Sequence, residues 1–266
     1  MPVKYQFEVR HISEQEFYEL DYRIIGLAFS IHNEFGRLWS ERIYQNELRR
    51  KCLEAGVTDV LIEAPIEISY KDFLKRYYVD LLINHAIAYE MKVAKTLDSG
   101  HQKQLLNYLF LLGLQYGKLI NFGAASVEHR FVSTTLTEQE RFNFSISDAA
   151  WQNLDADSCW LKDLLIELLH DWGAFLSPSL FYDAIANFRG GEENIMQNIE
   201  VASGSHSLGH QKVYALNSDI AFKLTSIMQN SPYYEKHLLR FLRHTRLKAL
   251  QWINFNHHHI EFKTLI

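Results

Sequence analysis

The chain repeats its own pattern of residues at one constant offset. Shifting its 266 residues by 133 positions pairs identical residues in a turn, a helix and a strand: Asn84 with Asn217, Leu105 with Leu238, and Ile120-Asn121-Phe122 with Ile253-Asn254-Phe255. Two amphipathic helix–strand stretches can resemble each other by chance. An ungapped offset over a helix, a turn and several strands favours a tandem duplication, with copies at residues 1–137 and 138–266.

Hydrophobic periodicity predicts the elements of the first copy. Apolar residues recur at helical spacing over about 14–34 and 39–55, and short runs rich in Val, Ile and Tyr follow. We predict strands at 60–70, 77–83 and 87–93, a helix at 101–112, and strands at 118–122 and 128–133. The predicted order is ααβββαββ, with the first three strands as an antiparallel meander.

Composition limits the classes of protein to consider. With 47% hydrophobic residues and no low-complexity tract, the chain should fold throughout. It shows neither a secretory signal nor an apolar run long enough to span a bilayer, and it has two cysteines far apart, so we expect a cytoplasmic protein that does not bind membranes. Because the net charge is −5, any contact with nucleic acid must be a local patch.

Three charged residues interrupt two otherwise apolar predicted strands. Asp80 lies among Val and Leu, and Glu90 and Lys92 share one face of the next strand. Burying a carboxylate in such a strand is costly unless it is paired or binds a metal. If the strands are neighbours, two carboxylates and an ammonium converge, and their oxygens suit Mg²⁺ or Mn²⁺. An exposed Glu-x-Lys ion pair is the alternative for Glu90 and Lys92.

The predicted helix that follows adds two polar residues. Gln104 and Tyr108 are four residues apart, so they lie on one helical face, and His101 lies one turn before Gln104.

The first copy, over residues 20–135, resembles the PD-(D/E)XK nuclease superfamily and within it the GxxExxxR family. The segment Phe35-Gly36-Arg37-Leu38-Trp39-Ser40-Glu41-Arg42-Ile43-Tyr44 corresponds to the name motif, of which Glu41 remains, while Leu38 and Gln45 replace the glycine and the arginine. The resemblance implies an α/β fold, here a tandem duplication of a restriction-endonuclease-like αβββαβ core, with a mixed central sheet flanked by helices.

The resemblance also implies roles for individual residues. Asp80, Glu90, the Met91 carbonyl and Glu41 would bind the metal. Lys92 would position the attacking water. Gln104 and Tyr108 would complete the site.

The second copy lacks these residues. At the same offset Val213, Lys223, Thr225 and His237 replace Asp80, Glu90, Lys92 and Gln104, and by a looser match Pro178 replaces Glu41. It carries a basic stripe, Lys236, Arg240 and Arg243, at helical spacing. We interpret the stripe as a phosphate-binding surface, with a solvated helix face as the alternative.

The sequence therefore predicts a Mg²⁺- or Mn²⁺-dependent nuclease that acts on nucleic acid, DNA rather than RNA, with catalysis in the first copy. The alternative is a non-catalytic interaction or regulatory protein that keeps the nuclease fold. The two copies could pair within one chain, and the homo-oligomeric state stays open.

Overall fold

A computed structural model describes residues 3–266 of the chain. It divides into two compact units. Unit 1 contains Leu74–Glu138 and the described residues up to Ser69, and unit 2 contains Tyr70–Phe73 and Gln139–Ile266. None of the helices within residues 3–266 is long and apolar enough to cross a membrane.

Unit 1 has two helices before its main strands and one between them. Its elements are β1 (Val3–Lys4), α1 (Glu14–Phe35), α2 (Glu41–Glu54), β2 (Val60–Tyr70), β3 (Phe73–Ile83), β4 (Ile87–Lys92), α3 (Ser99–Leu112), β5 (Tyr116–Asn121) and β6 (Glu128–Ser133), and the short α4 (Glu138–Arg141) follows. This order confirms the predicted α/β class.

Local sequence explains most of these boundaries. A capping box between Ser13 and Glu16 begins α1, and Gly36 ends it at a φ of 71°. The predicted helix at 39–55 begins later, at Glu41, because Ser40 is extended and serves as its N-cap. The strand predicted at 77–83 begins at Phe73, since a two-residue turn closes a longer hairpin with β2.

Unit 1 is built on a six-stranded mixed sheet. The strand order is β1-β2-β3-β4-β5-β6, and β4 and β5 are parallel while β5 and β6 are antiparallel. The core cluster joins α1 and α2 to one sheet face, from which Leu81, Tyr89 and Ile120 project. The next residue along each strand projects to the opposite face, where α3 contacts β4 and β5. This second face carries Asp80, Glu90 and Lys92.

A buried ion pair ties α1 to the sheet. Lys118 Nζ donates to Asp21 Oδ2 at 2.6 Å, the Tyr89 hydroxyl donates to Asp21 Oδ1 at 3.3 Å, and both ionic side chains are less than one-tenth exposed (8% and 7%). Each charge depends on the other because neither is solvated.

Unit 2 has the same order of main elements. They are β7 (Ser145–Ala150), α5 (Ala156–Trp172), α6 (Pro178–Phe188), β8 (Met196–Ser203), β9 (His206–Tyr214), β10 (Ile220–Thr225), α7 (Ser231–Arg243), β11 (Ala249–Asn256) and β12 (His259–Leu265). A short 3₁₀ turn at Glu192–Asn194 precedes β8.

The strand register also recurs. In unit 1 Ala88 pairs with Gly117 in the parallel β4–β5 ladder, and in unit 2 Ala221 pairs with Leu250 in the parallel β10–β11 ladder. Each partner in the second ladder lies 133 residues after its counterpart. The ladders therefore coincide at the offset found in the sequence.

The hairpins of the two units differ. In unit 1 β2 and β3 continue the main sheet, whereas β8 and β9 form a separate two-stranded sheet beside the sheet β10-β11-β12-β7. An extra residue, Leu208, forms a bulge in β9 opposite Val201 and Ala202, and most of β9 is exposed and lacks an apolar face, so little holds this hairpin in a larger sheet. Among the described residues of unit 2, β8 and β9 do not form a continuous meander with β10.

We expect Lys118→Met to lower the free energy of unfolding by about 3 kcal/mol, because it leaves the Asp21 carboxylate buried and unpaired. Adding Asp21→Leu should restore most of the loss. Urea unfolding followed by circular dichroism measures both.

The control is Arg10→Ala, which breaks the exposed pair with Glu16 and should cost less than about 1 kcal/mol. Equal losses in the free energy of unfolding for Lys118→Met and Arg10→Ala would show that the buried pair stabilises the fold no more than the exposed pair.

Candidate active site

Asp80 on β3 and Glu90 on β4 lie side by side. The β3–β4 ladder pairs Ile83 with Ile87 and Leu81 with Tyr89, and one more step in this register places Asp80 opposite Glu90. At that point the Asp80 carboxylate is a hydrogen-bond acceptor, taking the Met91 N–H at 2.6 Å. The predicted neighbourhood of the two acids is thus present.

Glu90 is the most deeply buried charged residue of this group, with 1% exposure. Its Oε1 accepts hydrogen bonds from Lys92 Nζ and from Gln104 Nε2, each at 2.6 Å. Its Oε2 has no hydrogen-bond partner in the described part of the chain. The Glu90–Lys92 pair is therefore buried, and the alternative of an exposed surface pair is wrong.

The helix α3 supplies the polar groups facing β4. Gln104 Nε2 also donates to the Tyr108 hydroxyl at 3.0 Å, so both predicted residues reach the site. His101, one turn earlier, belongs to the helix cap instead, because its Nδ1 accepts the Asp98 N–H at 3.1 Å.

Glu41 reaches the site from the first turn of α2. Its Oε1 accepts the Val93 N–H at 3.1 Å, one residue beyond Lys92. Tyr44 holds this end of the helix, since its ring stacks on Phe122 with centroids 4.3 Å apart and its hydroxyl donates to the Gly36 carbonyl at 2.7 Å.

An asparagine fixes the chain where it leaves β4. Asn121 accepts the Ala94 N–H and donates to the Ala94 carbonyl, both at 2.9 Å. Gly123 is required beside it, since a Cβ there would lie 2.6 Å from the backbone of Ala94. The exit of β4, and with it Lys92, is therefore clamped by the neighbouring strand.

Burial and neighbouring negative charge both raise the pKa values of Asp80 and Glu90. Burial raises the pKa of Asp80 to about 6, although the Met91 N–H and Lys92 lower it. Burial and then the Asp80 charge raise the pKa of Glu90 to about 8, against the lowering effect of Lys92. Burial alone would lower the pKa of Lys92, but Glu90 outweighs it and the pKa is raised. The site favours bound protons or another source of positive charge.

Glu63 on β2 is a further acid that sequence reasoning missed. The two-residue turn between β2 and β3 sets a register in which Glu63 falls opposite Asp80, and the charge of Glu63 helps raise the pKa of Asp80. Its φ of 50° is unusual for a strand residue other than glycine. A carboxylate in the apolar run Ile62-Glu63-Ala64 was the available signal.

The two acids can hold a divalent cation. Oxygen ligands suit Mg²⁺ and Mn²⁺, and the unpartnered Glu90 Oε2 is a buried atom that a cation would satisfy. Residues 3–266 contain no group of three or more His, Cys, Asp or Glu arranged to hold a metal, so water or backbone oxygens would have to complete the coordination. Nothing in the described contacts tests the Met91 carbonyl as a ligand.

The corresponding positions in unit 2 carry no carboxylate: Lys223, which is exposed, stands at the place of Glu90, and neutral side chains fill the rest of the site. Asn254 accepts from the Ile227 N–H and donates to its carbonyl, as Asn121 does with Ala94. The Leu224 N–H, 133 residues after that of Met91, is accepted by the Tyr182 hydroxyl at 2.7 Å. The equivalent of Lys92, Thr225, is buried and bonded to Asn254 and Trp252.

The predicted basic stripe lies on α7. Lys236, Arg240 and Arg243 are exposed, and the described residues include no ion pair to any of them. Two neighbouring cations are paired, Arg246 with Glu200 and Lys248 with Asp219.

The stability of the metal-free protein should fall as the pH rises from about 4.5 to about 8. A carboxyl whose pKa is raised on folding contributes stability below its unfolded pKa and loses that contribution as the pH approaches the folded pKa. For Glu90 these limits are 4.5 and about 8, and the total should be a few kcal/mol.

Urea unfolding in the presence of a chelator, repeated across this pH range, measures the effect. Glu90→Gln should flatten the dependence, while Glu54→Gln, an exposed control on α2, should follow the wild type. Parallel curves for wild type and Glu90→Gln would contradict the assignment of the raised pKa to Glu90.

The match among known proteins that bears on this site lies in the first half of the chain. No curated protein matches it. A solved structure titled "Crystal structure of SSO0001" is 18% identical, covers 48% of this chain and 81% of its own, and has a TM-score of 0.26, too low to establish a shared fold. Residues 18–132, which contain all six predicted side chains of the site, match the family model of the PD-(D/E)XK nuclease superfamily.

Proposed function

We propose that unit 1 is a nuclease that depends on Mg²⁺ or Mn²⁺, and that unit 2 is a copy of it without an active site. The observation that carries the proposal is the convergence of Asp80, Glu90 and Lys92, with one Glu90 oxygen buried and unpartnered. The superfamily match over the same residues supports phosphodiester hydrolysis as the reaction.

Each side chain has a part in this reaction. Asp80 and Glu90 would hold the cation, with the Met91 carbonyl and water as further oxygen donors, and Glu41 would support this metal shell from α2. When bound, the cation activates water and neutralises charge on the phosphate. Lys92, fixed by Glu90, orients the water oxygen that attacks phosphorus as the bond to the leaving oxygen breaks.

The residues on α3 keep this arrangement rigid. Gln104 donates to both Glu90 and Tyr108, so it fixes the same carboxylate oxygen that accepts from Lys92. Burial raises the pKa of Tyr108 to about 12, which keeps its hydroxyl protonated and able to donate to a phosphate oxygen.

Three observations support the duplication. The order of elements recurs in unit 2, and the parallel register and the asparagine clamp recur 133 residues later. In the second copy a phenol and a threonine occupy the places of Asp80 and Lys92 as hydrogen-bonding groups. Neither is ionised at neutral pH, so this copy keeps the fold without a cation site.

We propose further that the stripe on α7 contacts the phosphates of nucleic acid, DNA rather than RNA. Three exposed cations at i, i+4 and i+7, which form no ion pair among residues 3–266, are available to a polyanion.

We expect wild-type protein to cleave labelled DNA or RNA with Mg²⁺ or Mn²⁺ and Lys92→Ala to lose at least about a hundredfold in rate, because the attacking water loses its orienting charge. The assay compares single-stranded DNA, duplex DNA and RNA. Lys223→Ala, a lysine on β10 of unit 2, is the matched control and should cleave normally.

A stability measurement distinguishes an inactive enzyme from a non-catalytic protein. Mg²⁺ or Mn²⁺ should raise the melting temperature of the wild type and not that of Asp80→Ala, since a ligand bound only to the folded state stabilises it. Absence of both cleavage and a metal-dependent shift in folded protein would favour the interaction protein.

Replacing Arg240 and Arg243 together by alanine should weaken binding of nucleic acid, most strongly at low salt, and reduce the slope of log affinity against log salt by about 2. Fluorescence anisotropy with a labelled duplex measures this. Replacing Arg246 and Lys248, which are already paired, is the control and should have a smaller effect. An unchanged slope would contradict the proposal that the stripe on α7 binds phosphates.

A further inference from the structure

The corner between α1 and α2, residues 36–43, exposes several large apolar side chains within a short segment. Leu38 is 90% exposed and Trp39 is 48% exposed, and Phe35 and Ile43 beside them are also partly exposed. Single exposed apolar residues are ordinary on a protein surface. A cluster in one short segment is typical of a binding surface.

The tryptophan of this corner is held in place. Its indole Nε1 donates to the Phe35 carbonyl at 2.9 Å, and its backbone N–H lies 3.4 Å from the Tyr44 hydroxyl that also binds Gly36. The ring therefore loses little conformational freedom when a ligand covers it, which is the property of a preformed stacking surface.

The corner also carries unpaired positive charge. Arg37 and Arg42 are exposed, and neither forms an ion pair or a hydrogen bond within residues 3–266. By contrast Arg50, further along α2, is bonded to Glu47 and Glu54. In a chain with a net charge of −5, two free guanidinium groups beside an exposed ring are suited to an anionic, aromatic ligand.

The corner leads directly to the candidate active site. Glu41 lies between Trp39 and Arg42 in sequence, and its carboxylate accepts the Val93 N–H next to Lys92. A polymer bound at the corner would thus pass by the acids of β3 and β4.

We propose that the α1–α2 corner binds single-stranded nucleic acid, with an unpaired base stacked on Trp39 and the flanking phosphates on Arg37 and Arg42. Base faces are covered by their neighbours in a duplex and accessible in a single strand, so a stacking surface selects the single strand. This inference rests on the proposed function and names its substrate class: a strand with unpaired nucleotides next to the bond that is cleaved.

The test is a binding titration in the full-length Lys92→Ala background, where the strand stays intact. The probes are a fluorescein-labelled thymidine 15-mer and a blunt duplex of 15 base pairs, in a chelator and at several salt concentrations. We expect Trp39→Ala to weaken binding of the single strand about tenfold or more and that of the duplex by less than twofold, whereas Trp39→Phe keeps most of the affinity.

Replacing Arg37 and Arg42 together by alanine should reduce the salt slope for the single strand by about 1.4, since each phosphate contact on a single strand contributes about 0.7. Tyr22→Ala, which removes an aromatic ring of 84% exposure on α1, is the control for the ring. Arg50→Ala is the control for the charge. Both should bind like the parent.

The outcomes separate this inference from the nuclease proposal. Equal affinity of Trp39→Ala and Trp39→Phe for the single strand would overturn the stacking surface even if the wild type cleaves DNA. The same holds for equal losses on the single strand and the duplex, which would point to a structural role for Trp39. Selective loss on the single strand, with no cleavage by the wild type, would keep the corner as a binding site and remove the nuclease.

Discussion

The structure of unit 1 depends on a carboxylate buried in its central strand. Glu90 is enclosed on β4 with Asp80 beside it, and an isolated charge in this position would cost several kcal/mol. Lys92 and Gln104 offset that cost at one oxygen only. The other oxygen has no partner among the described residues, so the fold places a strong acceptor where the protein alone does not satisfy it. Such an arrangement persists when it serves a ligand.

Unit 2 has a similar arrangement of strands without a buried carboxylate at this place. The asparagine clamp remains, but a threonine bonded to Trp252 occupies the position of Lys92, and the Tyr182 hydroxyl accepts the N–H that Asp80 accepts in unit 1. The clamp and the hydrogen bond to this strand N–H recur, while the carboxylates are absent. The clamp thus serves the exit of the chain from the strand in both units. The charged residues serve only the candidate active site of unit 1.

Much of this organisation could be predicted from the sequence. The strands 60–70 and 128–133 have the predicted limits, because alternation and flanking turns define them locally. Asp80, Glu90 and Lys92 were identified because charge in an apolar strand is conspicuous, whereas Glu41, Gln104 and Tyr108 on the helices followed from spacing and from the family resemblance. The backbone links between them, such as Glu41 to the Val93 N–H, could not be, since they depend on how α2 packs against β4.

Other features required the tertiary structure. Glu63 resembles any strand glutamate until the hairpin register places it opposite Asp80. The hairpin β8–β9 follows the same order as its counterpart β2–β3, but it is shorter, and its exposed β9 and its bulge leave it outside the main sheet. His101 has the spacing of a site residue and serves in the helix cap, where its Nδ1 accepts the Asp98 N–H. In each case a local pattern was compatible with two environments.

One set of contacts links the active site to the corner beside it. Tyr44 is buried against Phe122, its hydroxyl binds Gly36, and it belongs to the same first turns of α2 as Glu41. Tyr44 therefore contributes to the position of both Trp39 and Glu41, and the Phe35 carbonyl at the end of α1 fixes the indole ring. The apolar corner and the acidic site are consequently parts of one rigid surface, which is what a reaction on a bound polymer requires.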